Sequence, residues 1–138
     1  MNHPMELSAQ ESLDRLSGQA FGRLAIVTPQ GPRIVPLNYA VHSDAILFRT
    51  APYSELARHA IGQVAAFEVD QVDHDDRTGW SVVAVGTIEE LDPADLVELR
   101  DAGPQPWAGG VRSLHLRLRW RELTGRRLHD GLVTAPPR

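Results

Sequence analysis

Residues that favour β-structure arrive in this chain as short runs, each closed by a turn signal, and this spacing constrains the fold most. Phe21–Thr28 ends at Pro29-Gln30-Gly31-Pro32. Arg33–Val41 follows, then the turn His42-Ser43-Asp44, then Ala45–Thr50. Val64–Asp70 and Gly79–Glu90 are two further runs, and Gly86 inside the second marks a bulge. Leu114, Leu116 and Leu118 alternate with His115, Arg117 and Arg119, the pattern of a half-buried strand. A last short strand is expected around Arg126-Arg127-Leu128, after Thr124-Gly125. Pro36 cannot donate to a ladder, so the strand 33–41 belongs at a sheet edge or is interrupted near a site.

Helical patterns are fewer. Ser8-Ala9-Gln10-Glu11 is a capping-box pattern, and a helix over 7–17 through Leu7, Leu13 and Leu16 is expected to end at Gly18. Pro52 suits the first turn of a helix over 52–61, and Asp92-Pro93 opens another over 93–101. Short antiparallel strands with few helices make an α+β fold, predominantly β: an antiparallel barrel with peripheral helices.

At 138 residues the chain is expected to form one domain, with loose ends at 1–6 and 134–138. It has no cysteine, which excludes a disulfide scaffold, a thiolate metal site and a cysteine nucleophile. All 14 of its Lys+Arg residues are arginine, so lysine chemistry is excluded as well. Any phosphate is left to arginine, backbone N–H groups or hydroxyls. No apolar leader or membrane-length run is present, so the expected setting is cytoplasmic, with no membrane partner.

Charge is uneven. From Val111 onward seven arginines face only Glu122 and Asp130, leaving +5; with −4 for the whole chain, the first 110 residues carry −9. An acidic molecule is repelled by polyanions, so these arginines are expected to pair with the chain's own acids or a second subunit rather than with nucleic acid. Asp73-His74-Asp75-Asp76 matches no metal-loop spacing and reads as a solvated loop.

The ordered set Arg33-Ile34-Val35-Pro36-Leu37-Asn38-Tyr39, Phe48-Arg49-Thr50-Ala51-Pro52, Val64–Asp70, Gly79-Trp80-Ser81-Val82 and Leu123-Thr124-Gly125-Arg126-Arg127 resembles the pyridoxamine 5′-phosphate oxidase-like FMN-binding split-barrel family, in its small nitroimidazole-resistance-type branch. The resemblance implies a six-stranded antiparallel Greek-key split β-barrel, a homodimer, and FMN in a groove between the subunits. It implies that Val35, Pro36, Leu37 and Asn38 border the flavin ring. Phe48, Arg49 and Thr50 would run past the ribityl chain and phosphate. Trp80, Ser81 and Val82 would lie near the flavin, and Trp107 would cover the partner's ring.

One position departs from the family pattern. Where the family places lysine at the start of the short helix, this chain reads Tyr53-Ser54-Glu55. Three readings stay open. Glu55 turns to solvent while Ser54 and Arg49 hold FMN; Arg58 replaces the lysine; or FMN is held poorly and another ligand is bound. The functional expectation is an FMN-dependent oxidoreductase acting on a small molecule. The alternative is a non-catalytic or differently loaded barrel: a flavin carrier or sensor, or a binder of deazaflavin or haem.

Overall fold

A computed structural model describes residues 5–99, 101–104 and 113–128. Seven antiparallel strands form one curled sheet: β1 (Phe21–Thr28), β2 (Gly31–Asn38), β3 (Ala40–His42), β4 (Ala45–Thr50), β5 (Val64–Asp73), β6 (Thr78–Glu90) and β7 (Leu114–Leu128). Their order is β2-β1-β5-β6-β7-β4-β3, so β2 and β3 are the edges. Three helices flank the sheet: α1 (Ala9–Ser17), α2 (Glu55–His59) and α3 (Pro93–Leu99).

The seventh strand comes from a break in the run 33–41. The ladder with β1 stops at Asn38, where Tyr39 turns its backbone N–H to Ala20 and its hydroxyl to the Leu16 carbonyl. β3 then pairs with β4 on the far side of the sheet. Pro36 lies on edge strand β2, where a missing N–H costs no ladder bond.

At the other end of the chain, two expected strands are one. β7 runs through Gly125 without stopping, and it pairs with β6 over nearly its whole length. The register shifts between Val85 and Gly86, so the bulge is where the glycine suggested it. Gly125 reads as a break but serves close packing. A Cβ there would lie 2.5 Å from Ser12 Oγ and 2.8 Å from Leu7 Cδ1.

The capping box of α1 is present: the Ser8 hydroxyl accepts from Glu11 N, and Glu11 accepts from Ser8 N. The segment expected to be loose at its start is docked as far as it is described. Arg127 N donates to the Met5 carbonyl at 2.7 Å, and Leu7 N donates to Gly125 at 2.9 Å. α2 begins later than expected, at Glu55, because Ser54 rather than Ala51 caps it.

Strand alternation sorts the residues into two faces. Leu24, Ile26, Phe67, Val82, Ile46 and Leu118 point inward and fill the core. The other parity faces outward, and on β1, β2, β5 and β6 it carries Val27, Ile34, Ala66 and Val85. A smaller cluster of Leu47, Leu91 and Leu99 packs α3 against the outside of β4. No helix among the described residues is long and apolar enough to cross a membrane.

Candidate functional site

The polar groups with the clearest arrangement lie where β4 runs into α2. Thr50 ends β4 with its side chain buried, and its hydroxyl donates to Ser54 Oγ at 2.9 Å. Ser54 Oγ also accepts from Ala57 N at 3.1 Å, as the cap of α2. Curling of the sheet brings edge strand β2 to the same place. Arg33 Nε lies 3.5 Å from Glu55 Oε2, with the two side chains 39% and 36% exposed. Strand β2 and strand β4 are far apart in the sheet order, so this pair spans the open side of the barrel.

Glu55 makes a contact that none of the three readings of the sequence named. It is half-exposed, and Arg58 is exposed in the last turn of α2. Glu55 pairs with Arg33. Sequence reasoning passed over Arg33 as a site residue, although strand parity could have found it. Residues 33, 35 and 37 share one face of β2, so a site bordered by Val35 and Leu37 also meets Arg33.

The structure separates the other expected residues by the same alternation. Val35 and Leu37 are half-buried and pack against the core, while Pro36 is exposed and Asn38 half-buried on the opposite parity. Phe48 is in the core beside Thr50's face of β4, and Arg49 faces the other side. Trp80 and Val82 are buried core residues, and the Arg15 guanidinium sits 5.4 Å from the Trp80 ring centre. Ser81 is half-buried on the outer face, between Asp70 and Arg126 in the ladder. Trp107 lies outside the described residues.

Arg49 lines a cavity of about 230 Å³ with Leu47, Leu91, Leu96, Leu99 and His115. His115 is its cross-strand partner. Burial and the Arg49 charge hold the His115 imidazole below its ordinary pKa, so it favours the neutral form.

On the outer face, Arg23 of β1 reaches Asp70 at 2.6 Å and Glu68 at 3.3 Å. The acidic run of β5 therefore has its base, supplied by another strand. Burial, a hydrogen bond with Asp70 and the Asp70 charge push Glu68 up to about 7, against the pull of Arg23. Asp70 is held below its usual range, first by its hydrogen bond with Glu68 and then by Arg23. The Asp73 carboxylate accepts from Asp75 N and Asp76 N and so organises the turn between β5 and β6.

Comparison with known proteins gives consistent matches. A family model described as pyridoxamine 5′-phosphate oxidase matches residues 8–127. A curated relative, an uncharacterized protein of Mycobacterium tuberculosis, is 32% identical over 108 residues, covering 75% of this chain and 71% of its own length. Among solved structures, an FAD binding protein from Mycobacterium smegmatis is 32% identical with a TM-score of 0.77, over 92% of this chain and 99% of that one. A putative pyridoxamine 5′-phosphate oxidase from Corynebacterium glutamicum is 30% identical, also with a TM-score of 0.77, over 94% and 96%.

Proposed function

This chain belongs to the pyridoxamine 5′-phosphate oxidase family, and we propose that it binds a flavin nucleotide and works as a flavin-dependent oxidoreductase on a small molecule. One observation carries this reading: the similarity to a flavin-binding protein runs at 32% identity through nearly the whole of both chains. When bound, a flavin supplies hydride and electron chemistry that no side chain here offers.

The residues present fit a flavin phosphate on one side of the barrel. Arg33 is a guanidinium already seated against an anionic oxygen, that of Glu55. The Ser54 hydroxyl lies one residue before that carboxylate in sequence, and the Thr50 hydroxyl is hydrogen-bonded to Ser54 Oγ. An exposed ion pair of this kind holds by only about 0.2–1 kcal/mol, so a phosphate can displace it. Val35 and Leu37 continue the same face of β2 and offer apolar surface to the ring. FMN is the smallest flavin with the needed phosphate, and FAD presents that group as a diester.

The functional unit we propose is a homodimer in the cytoplasm with the flavin at the subunit interface. Its support is the apolar outer face of β1 and β2, on which Val27 and Ile34 are each 70% exposed. The reading is tested by adding FMN or FAD to the purified protein, removing excess by gel filtration and recording the visible spectrum. A retained oxidised-flavin spectrum that bleaches under a reductant is expected. A colourless protein that retains neither cofactor overturns the proposal.

A further inference from the structure

The cavity of about 230 Å³ under α3 lies away from the β4–α2 junction, on the other face of β4. Thr50 is buried on the core side, and Arg49, one residue earlier, lines the cavity. β7 sets His115 directly opposite Arg49 in the ladder, within the reach of a cross-strand pair. Leu91 N donates to the His115 carbonyl at 3.0 Å, which ties the approach to α3 to the same strand. Leu47, Leu91 and Leu99 are buried, Leu96 packs against them, and together they make the apolar part of the wall.

No acid is among the described residues that line this cavity. At the next outward-facing step of the ladder, Glu89 and Asp95 are engaged with Arg117, each at 3.6 Å. His115 favours its neutral form. The wall therefore offers one fixed positive charge, an imidazole with one donor and one acceptor, and leucine surface. One charge calls for one countercharge. A phosphate monoester, at about −1.5 to −2, exceeds it and meets mostly leucine. A carboxylate matches it, because its two oxygens fit the guanidinium fork. Size narrows the choice further. At ~30 Å³ per water the cavity has room for about eight water-sized groups. That is below the roughly 300–1,000 Å³ of clefts that take drug-sized ligands. The geometry points to a binding site for a small apolar monocarboxylate, aromatic or branched-chain. Arg49 and His115 hold its carboxylate, and the leucines enclose its hydrocarbon part. The site is independent of the flavin reading, since it uses none of Arg33, Thr50 and Ser54.

The test is an NMR titration of the isotope-labelled full chain with benzoate, isovalerate and benzamide. Benzoate or isovalerate is expected to give saturable amide shifts centred on β4, β7 and α3. Benzamide, which has the shape of benzoate without its charge, should bind at least about tenfold more weakly. Arg49→Gln should weaken the carboxylates by a similar factor and leave benzamide unchanged. Leu96→Trp fills the cavity without touching its charge and should abolish binding of all three. Circular dichroism verifies the fold of both variants, and the benzamide comparison needs no variant at all. Saturating FMN should leave benzoate affinity unchanged. Absence of a saturable shift for either acid up to about 10 mM overturns the inference. So does benzamide binding as tightly as benzoate. Displacement of benzoate by FMN also overturns it, because the cavity would then belong to the flavin site.

Discussion

Glu68 departs far from the ordinary behaviour of a glutamate, and the departure has a definite pH signature. In the folded chain it keeps its proton up to about pH 7, while in an unfolded chain a glutamate loses it near ~4.3. Between these values the folded state binds more protons than the unfolded state, so stability falls as pH rises through that window. Asp70 works in the opposite sense, since its depressed value adds stability that disappears only in acid. Glu68→Gln keeps the shape without the ionisation. Thermal melts from pH 5 to 8 should show the variant gaining on the wild type as pH rises, with most of the change below pH 7. A constant difference across the range would show that Glu68 titrates normally. Such a cluster was only half legible in the sequence. The acids of β5 were plain, but Arg23 is 45 and 47 positions away from its two partners and meets them through the β1–β5 ladder. Arg33 was missed for the same reason, because its partner Glu55 is brought to it by the curl of the sheet.

Elements were more legible than pairings. Strand runs and their turns follow from local alternation and turn chemistry, and β1, β4 and the capping box of α1 appear where the residues put them. What the local pattern misjudged was one glycine, Gly125, whereas the bulge at Gly86 is where the sequence suggested it. Gly86 and Gly125 carry the same residue type, and both sit inside continuous strands, at a bulge and at a close contact. Only tertiary neighbours distinguish these from a strand end. A Cβ on Gly86 would overlap the Arg119 carbonyl across the ladder, and the backbone there has nowhere to yield. Gly86→Ala should therefore cost at least the ~1–3 kcal/mol typical of overpacking, read as a lower urea midpoint. Gly31, by contrast, has open space around its Cβ direction but a φ of 113° in the β1–β2 turn. Its replacement by alanine should cost through the backbone alone, about 1 kcal/mol. If Gly86→Ala proved the milder of the two, the bulge geometry would be wrong. At the first helix, Ser8→Ala removes half of the capping box and should lower stability by about 1 kcal/mol in the same assay.

At the scale of the whole molecule, the charge asymmetry and the apolar outer face have different outcomes. Three of the five arginines of β7 find acids within the chain: Arg117 meets Glu89 and Asp95 at 3.6 Å, Arg119 meets Glu89 at 3.1 Å, and Arg127 meets Glu11 at 2.9 Å. Arg121 and Arg126 of the same strand are exposed. Among the described residues, no such internal partner covers Val27 and Ile34 on the outer face of β1 and β2. Ile34 stands opposite Ala25, one step along from Val27 opposite Pro32, so the two exposed aliphatic side chains are neighbours on one face. Ala66 and Val85 extend that surface across β5 and β6. Fully burying an aliphatic side chain of this size is worth about 1.5–3 kcal/mol, and a two-fold interface uses each position twice. A charge placed there should therefore act on association rather than on folding. Ile34→Asp and Val27→Asp are each expected to turn a sedimenting dimer into a monomer with an unchanged circular dichroism spectrum. If the flavin lies between subunits, the monomeric variants should also lose it, although neither residue belongs to the Arg33, Thr50 and Ser54 set. A wild-type chain that sediments as a monomer would remove the dimer from the proposal. Dimeric variants with intact flavin binding would move the interface elsewhere.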